Sequence, residues 1–163
     1  MDEEELQVFI DGTTNYFVQV FDTPANVEAP YLKDEESVIL DYTGVIGISG
    51  SCRGCVYYTA STGMLETLLR LLGEEDVSPH NLADMVGEIS NTLSGNARQD
   101  FGSHFMISVP VIVEGQPSGL DLPSNTRTFV IPVMWNDFRS YLIICLEKLS
   151  INARNSEAPV YAE

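Results

Sequence analysis

The most informative hydrophobic pattern of the chain covers residues 79 to 101. Apolar residues recur there at intervals of three and four positions: Leu82, Met85, Val86, Ile89 and Leu93. Because an α-helix turns about 100° per residue, this spacing gathers the apolar side chains on one face. Ser78 and Pro79 have the residue types of an N-cap and a first helical position. The pattern predicts an amphipathic helix that ends near Phe101.

The opposite face of this predicted helix carries polar residues and one glycine. Its members are Asp84, Glu88, Asn91, Gly95 and Arg98. Glu88 and Asn91 are one helical turn apart, so a carboxylate and an amide are neighbours. Asn is a mediocre residue at mid-helix and Gly costs about 1 kcal/mol relative to Ala, so two unfavourable residues lie on one exposed ridge. An ordinary solvated helix face is one interpretation, and a surface that a partner approaches is the other.

The rest of the chain predicts two more helices and an antiparallel sheet. Helical patterns cover residues 3–22 and the segment from Ser61 or Thr62 to Gly73. Runs typical of β-strands cover 37–49, 54–60, 105–113, 127–135 and 139–149. Helices clustered between strand hairpins predict an α+β fold, in which an antiparallel β-sheet packs with about three helices in a single domain.

Prolines and loop residues divide these segments. Pro24, Pro30 and the charged residues 33–36 indicate a solvated connection, and Pro110 and Pro132 indicate strand edges, bulges or ends. Residues 115–126 read as a loop. The domain is expected to cover residues 1–150, and residues 151–163, which have no periodicity, are expected to form a C-terminal tail.

Charge and hydropathy restrict the classes of partner. The chain has 163 residues, of which 44% are hydrophobic, and 8 basic against 24 acidic residues give a net charge of −16. Such a charge repels phosphate backbones and anionic lipids, so neither nucleic acid nor membrane is an expected partner. No apolar run reaches the roughly 18 residues of a membrane span, and the acidic N-terminus lacks the basic start of a signal peptide. The expected location is the cytoplasm.

The cysteines and histidines do not form an obvious catalytic or metal-binding set. Cys52 and Cys55 form a C-x-x-C, but zinc needs two more ligands, and Cys145, His80 and His104 are scattered along the sequence. The motif lies between two predicted strands, whereas a thioredoxin-like motif opens a helix. We therefore expect no metal site, a structural or incidental role for the thiols, and hairpin-turn chemistry around Gly50 to Gly54.

Several motifs together resemble the CheC/CheX/FliY family of chemotaxis phosphatases, and the CheX branch most closely. They are the ridge segment GEISNTLSGNA, the hairpin-like VIGISGSCRGCVYY and the leucine-rich helix that ends at Gly73. The resemblance covers most of residues 37 to 148. CheC-like members carry two Glu-x-x-Asn helices, but the first helix here has no Glu three residues before an Asn. One site per chain is typical of CheX, whose members are dimers, so we expect a homodimer.

The resemblance implies a mechanism and assigns roles. The helix would insert into the active site of a phosphorylated CheY-like response regulator, where Asn91 orients the attacking water and Glu88 contacts the regulator's lysine. No cofactor of its own is expected, because the regulator supplies Mg²⁺. Asp84, Gly95, Asn96 and Arg98 are expected to contact the partner, with Asn96 off the ridge of Glu88 and Asn91.

The residue chemistry agrees with this mechanism. An aspartyl phosphate with bound Mg²⁺ is activated for in-line attack and lacks only a positioned water, which an amide can orient. A carboxylate can pair with a lysine beside the phosphoryl group. A non-enzymatic docking module that binds a receiver domain without hydrolysis is the alternative function. A structural protein with a chance motif is a third interpretation.

Overall fold

The computed structural model describes residues 1–116 and 127–149. The predicted loop at 115–126 therefore lies mostly outside the described residues, and the predicted tail at 151–163 lies entirely outside them. Within the described residues, no helix is long and apolar enough to cross a lipid bilayer.

The described part of the chain contains three helices, and all three were predicted. They are α1 at Glu3–Phe21, α2 at Thr62–Leu71 and α3 at Pro79–Phe101. In α1, Asp2 and Glu5 form a capping box, in which each side chain accepts a hydrogen bond from the other's backbone N–H. Ser61 caps α2, and α3 begins with proline at its first position. These caps explain why the helix boundaries follow from the sequence.

The strands form one antiparallel sheet, which confirms the predicted α+β fold class. They are β1 at Asn26–Val27, β2 at Tyr31–Leu32, β3 at Tyr42–Gly50, β4 at Cys52–Ala60, β5 at Phe105–Ile107, β6 at Val111–Glu114, β7 at Thr128–Trp135 and β8 at Phe138–Lys148. The order across the sheet is β1-β7-β8-β4-β3-β5, where β2 also pairs with β7 and β6 with β3. The predicted hairpin turn between β3 and β4 is confirmed, and Gly50 has a positive φ of 88° there.

Three strand predictions need correction. β3 begins at Tyr42 rather than at residue 37, and the segment predicted as a solvated connection contributes β1 and β2 to the sheet edge. The strand predicted at 105–113 is divided into β5 and β6 by residues 108–110. Pro110 has no N–H to donate, which favours a break there. Two-residue strands carry no periodicity, so β1 and β2 leave no signal in the sequence.

Pro132 lies within β7, where a proline is tolerated because of the pairing around it. The Glu28 N–H donates to the Pro132 carbonyl over 3.0 Å, so the backbone of Pro132 faces β1 and not β8. Because Pro132 has no N–H, one hydrogen bond is lost on the side of the short outer strand β1. The hydrogen-bonded pairing between β7 and β8 is not interrupted. Pro132 therefore lies inside a strand that is paired on both sides, and the prediction of a strand edge, bulge or end at this residue is wrong.

Helix α3 lies across β3 and β4, and α1 and α2 pack against α3. Gly44 of β3 allows this close approach, because a Cβ there would overlap the Ser90 side chain and would lie 2.9 Å from the Val86 carbonyl oxygen. The Ser90 hydroxyl, buried at this contact, donates to the Val86 carbonyl over 2.7 Å. The apolar stripe of α3 is therefore fixed on the sheet, and its opposite face points outward.

Candidate functional site

The exposed face of α3 presents Glu88 and Asn91 to solvent, while Met85, Ile89 and Leu93 beside them are buried in the core. Within the described part of the chain, neither the Glu88 nor the Asn91 side chain makes a hydrogen bond or an ion pair. The helix beneath them is rigidly packed. The carboxylate and the amide are thus unpaired within the described residues and lie on a helix that is packed in place. This arrangement is suited to binding an external ligand.

A groove runs along this ridge. Its helical wall consists of Ala83, Asp84, Gly87, Glu88 and Asn91, and its second wall of Ile107, Ser108, Val109, Pro110 and Ile112. Its volume is about 640 Å³, which is room for a segment of a partner protein. Gly87 keeps the walls close, because a Cβ there would lie only 2.8 Å from Ile112 Cδ1. The groove is therefore formed where α3 approaches β6.

The second wall of the groove is fixed by Ser108. Its hydroxyl accepts a hydrogen bond from the Gly47 N–H at 2.8 Å and donates one to the Val109 carbonyl at 3.0 Å. The Ser108 N–H donates to the Gly47 carbonyl at 2.9 Å. Pro110 in turn restricts Val109 to extended conformations. The connection between β5 and β6 is consequently held to β3 in one arrangement beside the ridge.

Helix α1 borders the site on the side of Glu88. Tyr16 of α1 is 5% exposed, and its burial, followed by the negative charge of Glu88, raises the pKa of its phenol. Tyr16 therefore stays protonated at neutral pH.

The other predicted site residues occupy distinct positions. Asp84 lies in the groove, with its Oδ2 3.4 Å from Nε2 of His80. Arg98 donates to the Ser103 carbonyl over 3.4 Å and so helps to close the end of α3. A Cβ on Gly95 would meet only Ile107 Cδ1, at 4.0 Å, so the fold itself leaves room for a side chain there. Asn96 lies in a separate polar groove between α1 and α3.

The C-x-x-C motif does not bring its two thiols together. Cys52 belongs to the core under the helices, whereas Cys55 packs with the cluster on the reverse face of the sheet. The cross-strand neighbour of Cys55 is Cys145 of β8, and all three cysteines are free. Within residues 1–116 and 127–149, no group of three or more His, Cys, Asp or Glu side chains could hold a metal ion.

Sequence reasoning did not identify the second wall of the groove or Tyr16. Residues 108–110 lie about twenty positions after Asn91 and approach it only because β5 and β6 both pair with β3. The break at Pro110 was a signal that something interrupts this strand, but nothing local indicates which helix it faces. Tyr16 was not singled out because an aromatic residue in an amphipathic helix is usually a core residue.

The carboxylate of Glu88 and the amide of Asn91 determine which chemistry this arrangement can support. Among the described residues that line the groove, the only nucleophile is the Ser108 hydroxyl, which is engaged in two hydrogen bonds. An exposed Asn can orient a water, and an exposed Glu can accept hydrogen bonds from a cationic donor. The ridge therefore presents an amide and a carboxylate that could position a water molecule and a cationic group of a molecule bound there.

Comparisons with known proteins agree with one another. The family model described as "Chemotaxis phosphatase CheX" matches residues 42–134. The chemotaxis protein CheX of Vibrio vulnificus is 25% identical, with a TM-score of 0.75 over 88% of this chain and 99% of that chain. A chemotaxis protein CheX from Desulfovibrio desulfuricans is also 25% identical, with a TM-score of 0.77 over the same shares of the two chains.

A third structure shares the fold. It is a CheX-CheY-BeF3-Mg²⁺ complex from Borrelia burgdorferi, 15% identical with a TM-score of 0.70, over 88% of this chain and 97% of that chain. No protein of curated function matches the sequence. The match of the family model covers more than half of the chain.

Proposed function

The chain belongs to the CheX family of chemotaxis phosphatases, and from this premise we propose that it hydrolyses the aspartyl phosphate of a CheY-like response regulator. The observation that carries the proposal is the pair of Glu88 and Asn91, which is exposed on a packed helix beside a groove and has no hydrogen-bond or ion-pair partner among residues 1–116 and 127–149. These are groups that a phosphorylated receiver can use and that the fold itself does not need.

In the proposed reaction, Asn91 positions the water for in-line attack on the phosphorus of the aspartyl phosphate. The P–O bond to the aspartate breaks, the regulator regains its carboxylate, and inorganic phosphate leaves. Mg²⁺ on the regulator neutralises the developing charge, so the phosphatase contributes no metal. Positioning one water in this way removes the entropic cost of capturing it from solvent.

Glu88 has a different part in the proposal. Its carboxylate pairs with a lysine beside the regulator's phosphoryl group and so fixes the approach of α3. The anchoring matters because a net charge of −16 repels an anionic phosphorylated site at long range, so complex formation depends on short-range contacts. Asp84, Gly95 and Arg98 flank the pair and are proposed as further contacts with the regulator.

Two further statements belong to the proposal. The protein acts in the cytoplasm, where its regulator is phosphorylated, and it forms a homodimer. The sheet favours a dimer because its outer strands, β1 and β2 on one side and β5 and β6 on the other, have edges that pairing can cover.

The test follows the decay of a phosphorylated regulator. A CheY-like receiver domain from the same organism is phosphorylated with a small phosphodonor, and phosphate release is measured with substoichiometric amounts of the protein. We expect several phosphates per chain and a rate that grows with protein concentration. A protein that binds the receiver but leaves its decay rate unchanged is the docking module, and this result would replace the proposed activity.

A further inference from the structure

The groove beside the ridge has one acidic wall and one apolar wall. Asp84 and Glu88 lie on the helical wall, and Ile107, Val109, Pro110 and Ile112 on the other. Val109 is 83% exposed, more than any other large apolar side chain among the residues described. A single exposed apolar residue is common on protein surfaces, but this one lies at the edge of a groove next to the proposed catalytic pair.

The position of Val109 is organised by the hydrogen bonds that hold the connection between β5 and β6 to β3. Ser108 ties the connection to Gly47 on one side and to the Val109 carbonyl on the other, and Pro110 restricts the backbone that follows. An exposed side chain on a preorganised backbone loses little conformational entropy when a partner covers it. This is the typical property of a binding anchor.

We propose that Val109 is a docking anchor for the response regulator, and that it receives an apolar side chain of the receiver while Glu88 pairs with a receiver lysine. The inference rests on the proposed function, and it adds an apolar contact that contributes to the affinity for the receiver. The occupant is a receiver domain because the groove is continuous with Glu88 and Asn91. An acidic wall opposite an apolar wall complements a segment in which a lysine and an apolar residue are neighbours.

The other exposed valine of this region provides a matched control. Val111 is 63% exposed, only two residues away, and belongs to β6. Ile112 faces α3, so its strand neighbour Val111 faces the reverse side of the sheet, where its pairing partner Val45 packs. Val111 is thus an exposed valine of the same segment that does not line the groove.

The experiment compares Val109→Ser with Val111→Ser, and includes Val109→Ile as the conservative variant. Binding is measured by calorimetry to a CheY-like receiver activated with BeF3 and Mg²⁺, and steady-state hydrolysis is measured on the phosphorylated receiver. Burying a valine contributes about 1.5 kcal/mol or more, so Val109→Ser should raise Kd and KM about 10-fold. The kcat at saturating receiver should not change, and both Val111→Ser and Val109→Ile should resemble the wild type.

Each other outcome overturns the inference. An unchanged Kd for Val109→Ser means that the receiver does not cover this side chain. If Val111→Ser weakens receiver binding as much as Val109→Ser does, or if Val109→Ser changes the mass measured by light scattering, the segment around Val109 forms contacts between copies of the chain. Failure of the proposed function gives a different result. If the wild-type protein does not hydrolyse the aspartyl phosphate but its binding to the receiver still depends on Val109, the proposed activity is wrong and the docking site stands.

Discussion

Replacing Gly95 by alanine should stabilise the fold and impair the activity at the same time. Gly95 lies in α3 with φ in the ordinary helical range, and an added Cβ would meet only Ile107 Cδ1, at 4.0 Å. The methyl group therefore fits without displacing anything. Alanine is preferred to glycine within a helix by about 0.8–1 kcal/mol, because glycine loses more backbone entropy on folding.

The expected gain can be converted into a melting temperature. For a chain of this size, 1 kcal/mol shifts Tm by about 2–4 °C, so Gly95→Ala should melt about 2–4 °C above the wild type in a circular dichroism scan. Gly87→Ala is the matched control in the same helix. Its Cβ would lie 2.8 Å from Ile112 Cδ1, so that side chain must move, and the net gain should be smaller than at Gly95.

The functional half of this prediction tests whether a partner approaches α3 at Gly95. If the receiver packs against the bare backbone there, the added methyl group must reduce receiver binding although the protein is more stable. A lower Tm for Gly95→Ala would refute the reasoning about space and helix propensity. A higher Tm with unchanged receiver binding and hydrolysis would refute the assignment of Gly95 as a contact residue.

Four further predictions concern the Glu88 carboxylate, the thiols, the metal content and the assembly. Glu88→Ala should weaken both receiver binding and hydrolysis, whereas Glu75→Ala, which changes the net charge equally on the connection before α3, should change neither. The double variant Cys52→Ser with Cys55→Ser should keep its activity but melt lower than Cys55→Ser, because Cys52 is 5% exposed in the core. The purified protein should contain no stoichiometric zinc, and one zinc per chain lost together with activity would contradict this. Light scattering should give about twice the 18.0 kDa mass of the chain, and a monomer at micromolar concentration would contradict the dimer.

The sequence allowed the helices to be predicted well because each has strong local signals. The stripe from Leu82 to Leu93 has the period of a helix, and Pro79 at the first helical position indicates where α3 begins, although the Ser78 side chain makes no capping hydrogen bond. The ridge of Glu88 and Asn91 follows from the same periodicity, since a residue opposite a buried stripe must be exposed. Local physics was sufficient for these features.

The features that were missed depend on contacts distant in the sequence. β1 and β2 have two residues each, which is too short for alternation, and they form because β7 offers an unpaired edge. The second wall of the groove depends on hydrogen bonds between Ser108 and Gly47, which are 61 residues apart. Pairing partners, not propensities, determine these features.

The most direct test of the central claim is the effect of Asn91→Ala on hydrolysis and on binding, measured in the same preparation. Asn91 is exposed and makes no hydrogen bond within the described residues, so the fold should tolerate its loss within about 0.5 kcal/mol. Binding to the BeF3-activated receiver should largely survive because Glu88 remains, whereas hydrolysis of the phosphorylated receiver should fall about 10²-fold. A folded Asn91→Ala variant that dephosphorylates the receiver at the wild-type rate would contradict the role of this residue in positioning water.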